Sequence, residues 1–67
     1  MKYRTEKRIV GDNGKRFEIN DIVTLHYPNG GGCGNCKITK ITDTGFHFNQ
    51  GGGRDKSVQY KDIADIY

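Results

Sequence analysis

Cys33-Gly-Asn-Cys36 is where residue types and spacing first suggest chemistry. A C-x2-C with glycine inside has the shape of a zinc knuckle. The turn brings two thiolates to one metal, and small residues free backbone N–H groups to bond the sulfurs. A structural zinc takes four ligands, and the chain has only these two cysteines. Its two histidines, His26 and His47, are the ligands left to complete the set. A zinc site of Cys33, Cys36, His26 and His47 is therefore one reading. Two unliganded thiols at a hairpin tip, with no cofactor, is the other. A thioredoxin-like dithiol fits poorly, because such thiols are activated by a helix N-terminus after the motif. Here the β-patterned "KITKI" follows.

The cysteines sit inside a larger pattern. His26-Tyr27-Pro28-Asn29 and His47-Phe48-Asn49-Gln50 each run into three glycines. Both follow the order histidine, aromatic, any residue, amide, Gly-Gly-Gly. Glycine loops that cradle phosphate open a helix and carry Lys or Ser/Thr at fixed offsets. These two loops open strands, so they read as hairpin tips. Two copies are too few for a solenoid. General acid-base work needs a partner within hydrogen-bond reach, and the only serine, Ser57, has no base placed with it in the pattern. The expectation is a protein that is not an enzyme.

Charge is unevenly placed. Residues 1–8 carry Lys2, Arg4, Lys7 and Arg8 against Glu6, so 4 − 1 = +3; the remaining residues carry seven Lys and Arg against seven Asp and Glu, so 7 − 7 = 0. The net charge of +3 thus belongs to a basic arm or edge strand, on a neutral body. A neutral body weakens a default nucleic-acid reading.

The elements that must position these residues are strands. Apolar residues recur with period two, and β-branched and aromatic types dominate the periodic segments. "KYRTEKRIV" reads as a strand with one charged face, or as an arm leading into one. "GDNGK" at 11–15 is a turn, and "RFEI" at 16–19 pairs back. Strands follow at 21–27, 36–41, 46–50 and 56–60, then a 3₁₀ turn at 61–63 and a short closing strand at 64–67. Ile38 and Ile41 differ in parity, which predicts a bulge or sharp twist near Thr39–Lys40. In an antiparallel meander both triple-glycine loops fall at one end of the sheet and form a rim.

The run from Phe17 to Tyr67 resembles the SH3-like small β-barrels of bacterial proteins. The matching pattern is "NDIVTL", a loop, "GNCKITKITDTGFHF", a loop, then "VQYKDIADIY", with "KDI" as the 3₁₀ turn. The resemblance implies an all-β fold: an SH3-like small barrel, a five-stranded antiparallel meander with a 3₁₀ turn, here with an N-terminal β-hairpin extension, in a single domain over 1–67. Such barrels bind peptides, RNA or DNA. This chain lacks the acidic and aromatic loop signature and the Trp that SH3 domains use for Pro-rich peptides.

Three functions follow as expectations. The first is a small binding module that takes a protein partner, or a second copy, on the Gly-rich rim with His26, Tyr27, His47, Phe48 and Arg54. The second is nucleic-acid binding through Lys2, Tyr3, Arg4, Lys7 and Arg8 of the arm, with Lys15, Arg16, Lys37, Lys40, Arg54 and Lys56. The third is the zinc-stabilised module. No segment approaches the ~20 apolar residues of a membrane span, and no apolar run follows the charged N-terminus as in a signal peptide. The expected location is cytoplasmic, where thiols stay reduced.

Overall fold

A computed structural model describes residues 2–67. The structure is all-β, in two antiparallel sheets. The first holds β1 (Tyr3–Thr5), β2 (Ile9–Gly11) and β3 (Arg16–Phe17), in that order. The second holds β4 (Ile22–His26), β5 (Gly32–Ile41), β6 (Gly45–Gln50), β7 (Lys56–Gln59) and β8 (Asp65–Ile66), in the order β7-β6-β5-β4-β8. A 3₁₀ turn, Tyr60–Asp62, joins β7 to β8. It begins one residue before the "KDI" of the sequence reading.

Two expectations about the architecture need correction. Strands β4 to β7 form a meander, but β8 does not extend it. It crosses to the far side and pairs with β4, Leu25 opposite Ile66 and His26 opposite Asp65. Nor does the sheet close into a barrel: β7 and β8 are its two edges. Its core-facing side is packed instead against the N-terminal sheet, whose Tyr3 and Ile9 join the core with Phe17 packed against it.

The N-terminal segment also departs from a single strand or a loose arm. Residues 6–8 turn the chain, with Lys7 at φ 66° and the Glu6 N–H donating to the Arg8 carbonyl. The arm is thus folded back as a hairpin, and β3 adds a third strand.

Alternation explains which residues reach the core. Val23 and Leu25 on β4, Cys36 and Ile38 on β5, and Phe46 and Phe48 on β6 are all buried. They meet Tyr60, Ile63 and Ile66 from the C-terminal segment. Ile19 and Ile22, although apolar, are 51% and 68% exposed. Chain segment 20–21 lies along β5 there, bonding both backbone groups of Ile38.

Two bulges shape β5. One extra residue, Thr39, lies between the pairs Ile38–Phe48 and Lys40–His47, which is the bulge that the parity of Ile38 and Ile41 predicts. The second lies between Cys33, opposite Leu25, and Cys36, opposite Val23. Gly34 and Asn35 fill that interval, and Asn35 takes φ 54°.

Candidate functional site

The second bulge decides the chemistry of the cysteines. Along a regular strand, residues three apart face opposite sides. The extra residue restores one face for both, so Cys33 and Cys36 point inward together, 3.4 Å apart between sulfurs. The Cys36 thiol also points at the Cys33 carbonyl oxygen, 3.4 Å away. Cys36 is fully buried and Cys33 half-buried; both thiols are free. Burial, then the hydrogen bond with Cys33, pushes the Cys36 thiol up to about 12. A thiol held protonated is a poor nucleophile at neutral pH.

The histidines lie on the other face of the same sheet. His26 follows inward Leu25 and is exposed; His47 sits between buried Phe46 and Phe48. The two cysteines face the core and the two histidines face away from it, so the four expected ligands do not converge. Among the described residues no group of three or more His, Cys, Asp or Glu is placed to hold a metal ion.

The matched sequences around the histidines are not matched in space. His26 is the last residue of β4, and the five residues after it, 27–31, make a hydrogen-bonded turn, with the Tyr27 N–H donating to the Gly31 carbonyl at 2.8 Å. His47 is the third residue of β6, and Phe48, Asn49 and Gln50 continue the strand. The partner of His26 on β5 is Gly32; that of His47 is Lys40. The first loop therefore projects well past the second, although both lie at one end of the sheet. The second loop is tied down by its own side chains. Asp55 accepts from Thr39 Oγ1 (3.0 Å) and from Asn49 Nδ2 (3.1 Å), and Asn49 Oδ1 accepts from the Gly52 N–H (2.8 Å).

The expected rim set is dispersed accordingly. Tyr27 is half-buried beside the first loop, Arg54 is exposed on the second, and Phe48 is 2% exposed in the core. Phe48 cannot touch a partner in this fold. His47 instead lines a cleft of about 310 Å³ with Thr42, Thr44, Phe46, Ser57 and Val58, against edge strand β7.

The expected nucleic-acid set divides as well. Tyr3 is 1% exposed and offers no ring face for a base. Its hydroxyl donates to Asp65 Oδ1 (2.6 Å) and accepts from the Ile66 N–H (2.9 Å). Lys2 lies 3.9 Å from Asp65, and Lys15 reaches the Ile66 carbonyl at 3.4 Å and lies over the Tyr67 ring. Arg4, Arg8 and Arg16 line a second concavity on the outer side of the N-terminal sheet. Lys7 is exposed at its turn. Lys37 and Lys40 are exposed on β5, and Lys56 opens β7.

The contacts of Tyr3 and Lys15 have a structural meaning that the sequence did not disclose. They fall on backbone groups of β8 that face away from β4. A bare sheet edge is a template for pairing with another chain. The β8 edge is covered by a phenol and an ammonium from the N-terminal sheet. Among the described residues, the β7 edge has β6 on one side and no strand on the other.

No helix among the described residues is long and apolar enough to cross a membrane. No protein-family model matches the chain, and no curated protein or solved structure matches it either.

Proposed function

We propose that this protein is a small non-enzymatic interaction module of SH3-like arrangement that takes an extended segment of a protein partner as an added strand along β7. The observation that carries the reading is the inequality of the two sheet edges. β8 is capped by Tyr3 and Lys15, whereas β7 presents its outward backbone groups bare. Strand addition draws affinity from main-chain hydrogen bonds and specificity from pockets for alternate side chains. The cleft lined by His47, Ser57 and Val58 adjoins β7 and supports this reading as a pocket for one such side chain. The strand order β7-β6-β5-β4-β8 and the 3₁₀ turn before β8 support the SH3-like arrangement. This reading keeps His47 from the expected partner surface and moves the surface from the glycine loops to the neighbouring edge.

Selection of binders from a random peptide library, followed by N-methylation of alternate peptide amides, tests it. Methylation on one set of alternate amides abolishes binding of a strand-adding peptide and on the other set leaves it intact. A library that yields no binder, or binders indifferent to both methylation patterns, contradicts the reading.

A further inference from the structure

We propose that the outer face of the N-terminal sheet is a phosphate-binding surface on which Arg4, Arg8 and Arg16 take the phosphodiester backbone of a nucleic acid. This surface is separate from β7. In the three-stranded register Arg4 lies opposite Val10, and Val10 opposite Arg16. The three form one row across the sheet, on the face away from Tyr3 and Ile9. Adjacent strands are about 4.8 Å apart, so the two arginine stems stand roughly 10 Å apart with Val10 between them. Arg8, from the turn after β1, lines the same concavity of about 320 Å³ together with Glu6.

The arginines are not fully used by the fold. Arg4 pairs with Glu6 and, at 3.2 Å, with Asp12, all at side chains more than half exposed. Exposed pairs of this kind hold little energy and exchange readily. The Arg8 side chain is 42% exposed although its Nε is itself buried without a hydrogen-bond partner among the described residues, and its one ion-pair contact there, to Glu18, is long at 3.8 Å. No ion pair involves Arg16 among the described residues. Guanidinium is suited to phosphate because its planar fork bonds two oxygens at once. Guanidiniums spread along a row, over an open concavity, suit successive phosphates of a strand better than one free ion. Glu6 opposes the same ligand, so it sets the strength of the site without abolishing it.

The test is a salt titration of the full chain with fluorescently labelled single-stranded and duplex oligonucleotides. It compares the native protein with Arg4→Gln, Arg8→Gln, Arg16→Gln, the triple variant, Glu6→Gln, and a Lys61→Gln control on the exposed 3₁₀ turn. Melting curves establish that each variant is folded. The native protein binds at low salt, with an affinity falling by about 0.9 log units per phosphate per log unit of salt for duplex. The triple variant loses tenfold or more in affinity and most of that slope, Glu6→Gln binds more tightly, and the control is unchanged. Backbone amides of Arg4, Val10 and Arg16 shift on titration of the native protein. The proposal is overturned if no oligonucleotide binds at low salt, or if the lysine control loses as much as the arginine variants. It is also overturned if inorganic phosphate alone shifts the same amides and displaces the oligonucleotide at equal phosphate concentration. Should an arginine variant fail to fold, the amide shifts of the native protein decide the matter.

Discussion

The hydroxyl of Tyr3 stands 2.6 Å from Asp65 Oδ1, at opposite ends of the chain, and it accepts the Ile66 N–H on its other side. One phenol thus joins the N-terminal sheet to the last strand and closes that strand's free edge. A second link runs in parallel, where Thr5 Oγ1 donates to the Thr42 carbonyl at 2.6 Å and bonds the Tyr60 hydroxyl. The N-terminal sheet is a lid held by two hydroxyl networks.

Tyr3→Phe keeps the buried ring and removes its hydroxyl. The bond to the Asp65 carboxylate is then lost, and the Ile66 N–H keeps only Asp65 Oδ1, 3.0 Å away, as acceptor; loss of a hydrogen bond to a charged group costs about 1–3 kcal/mol. For a chain of this size each kcal/mol lowers Tm by roughly 4–8 °C. Thermal unfolding of the variant checks this, and a melting curve superimposed on the native one would show that the hydroxyl does not close the edge.

Acid weakens the same link. The hydrogen bond from Tyr3, above all, holds the Asp65 carboxyl below its ordinary value of 3.8. A carboxyl depressed in the fold contributes stability that is complete above its unfolded value and is lost as pH falls through the folded one. Stability therefore declines below about pH 4, and Asp65→Asn flattens that part of the decline. Urea unfolding between pH 2 and 6 measures it; parallel profiles for the two proteins would contradict the assignment.

Alkali acts on the tyrosines. Burial, as the leading cause, raises Tyr3, Tyr27 and Tyr60 above 10.0. The fold favours their neutral forms, so this stability is present below the unfolded value and lost as pH rises through the folded values. Absorbance of tyrosinate, followed with circular dichroism, rises late and together with unfolding. Titration of Tyr3, Tyr27 and Tyr60 near their ordinary value in the folded protein would contradict it.

The two thiols differ in access. Iodoacetamide at pH 8 modifies half-buried Cys33 and spares Cys36, which reacts only on unfolding. Mass spectrometry counts the adducts. A chelator leaves the melting curve unchanged, because the histidines lie on the opposite face from the thiols. Equal labelling of both cysteines, or a lowered Tm with chelator, would contradict this arrangement.

Gly45 holds β7 against β6. A Cβ at this position would collide with the Val58 carbonyl oxygen and stand 2.8 Å from the Gln59 Cα, and neither backbone atom yields cheaply. Gly45→Ala destabilises the protein by about 1–3 kcal/mol through overpacking and weakens any ligand of β7. Unfolding in denaturant checks the first effect.

Much of the fold is legible in period-two alternation. It places Val23, Leu25, Ile38, Phe46 and Phe48 inward, and the clash of parity between Ile38 and Ile41 marks the Thr39 bulge. The same parity puts Cys36 inward with Ile38, a signal hidden by the more suggestive C-x2-C spacing. Four features left no such trace. The turn at Lys7 uses a lysine at positive φ, where sequence signals lead one to look for Gly or Asn. The Gly34–Asn35 bulge shifts register inside a loop-like sequence, so Cys33 turns inward beside Cys36 and away from the face of the histidines. The stagger between the glycine loops depends on how far β5 extends past β6, which a repeated motif does not encode. The role of Tyr3 depends on a contact between the two ends of the chain, beyond any local pattern.

Amide hydrogen exchange on the protein, free and with a library-selected peptide, tests the central claim most directly. In the free protein the Ile66 amide is protected and the outward amides of Lys56–Gln59 exchange rapidly; the peptide slows exchange in Lys56–Gln59 and leaves Ile66 as it was. Rapid exchange at Ile66 in the free protein, or protection by the peptide at Tyr27–Gly31 and Arg54 in place of β7, would contradict it.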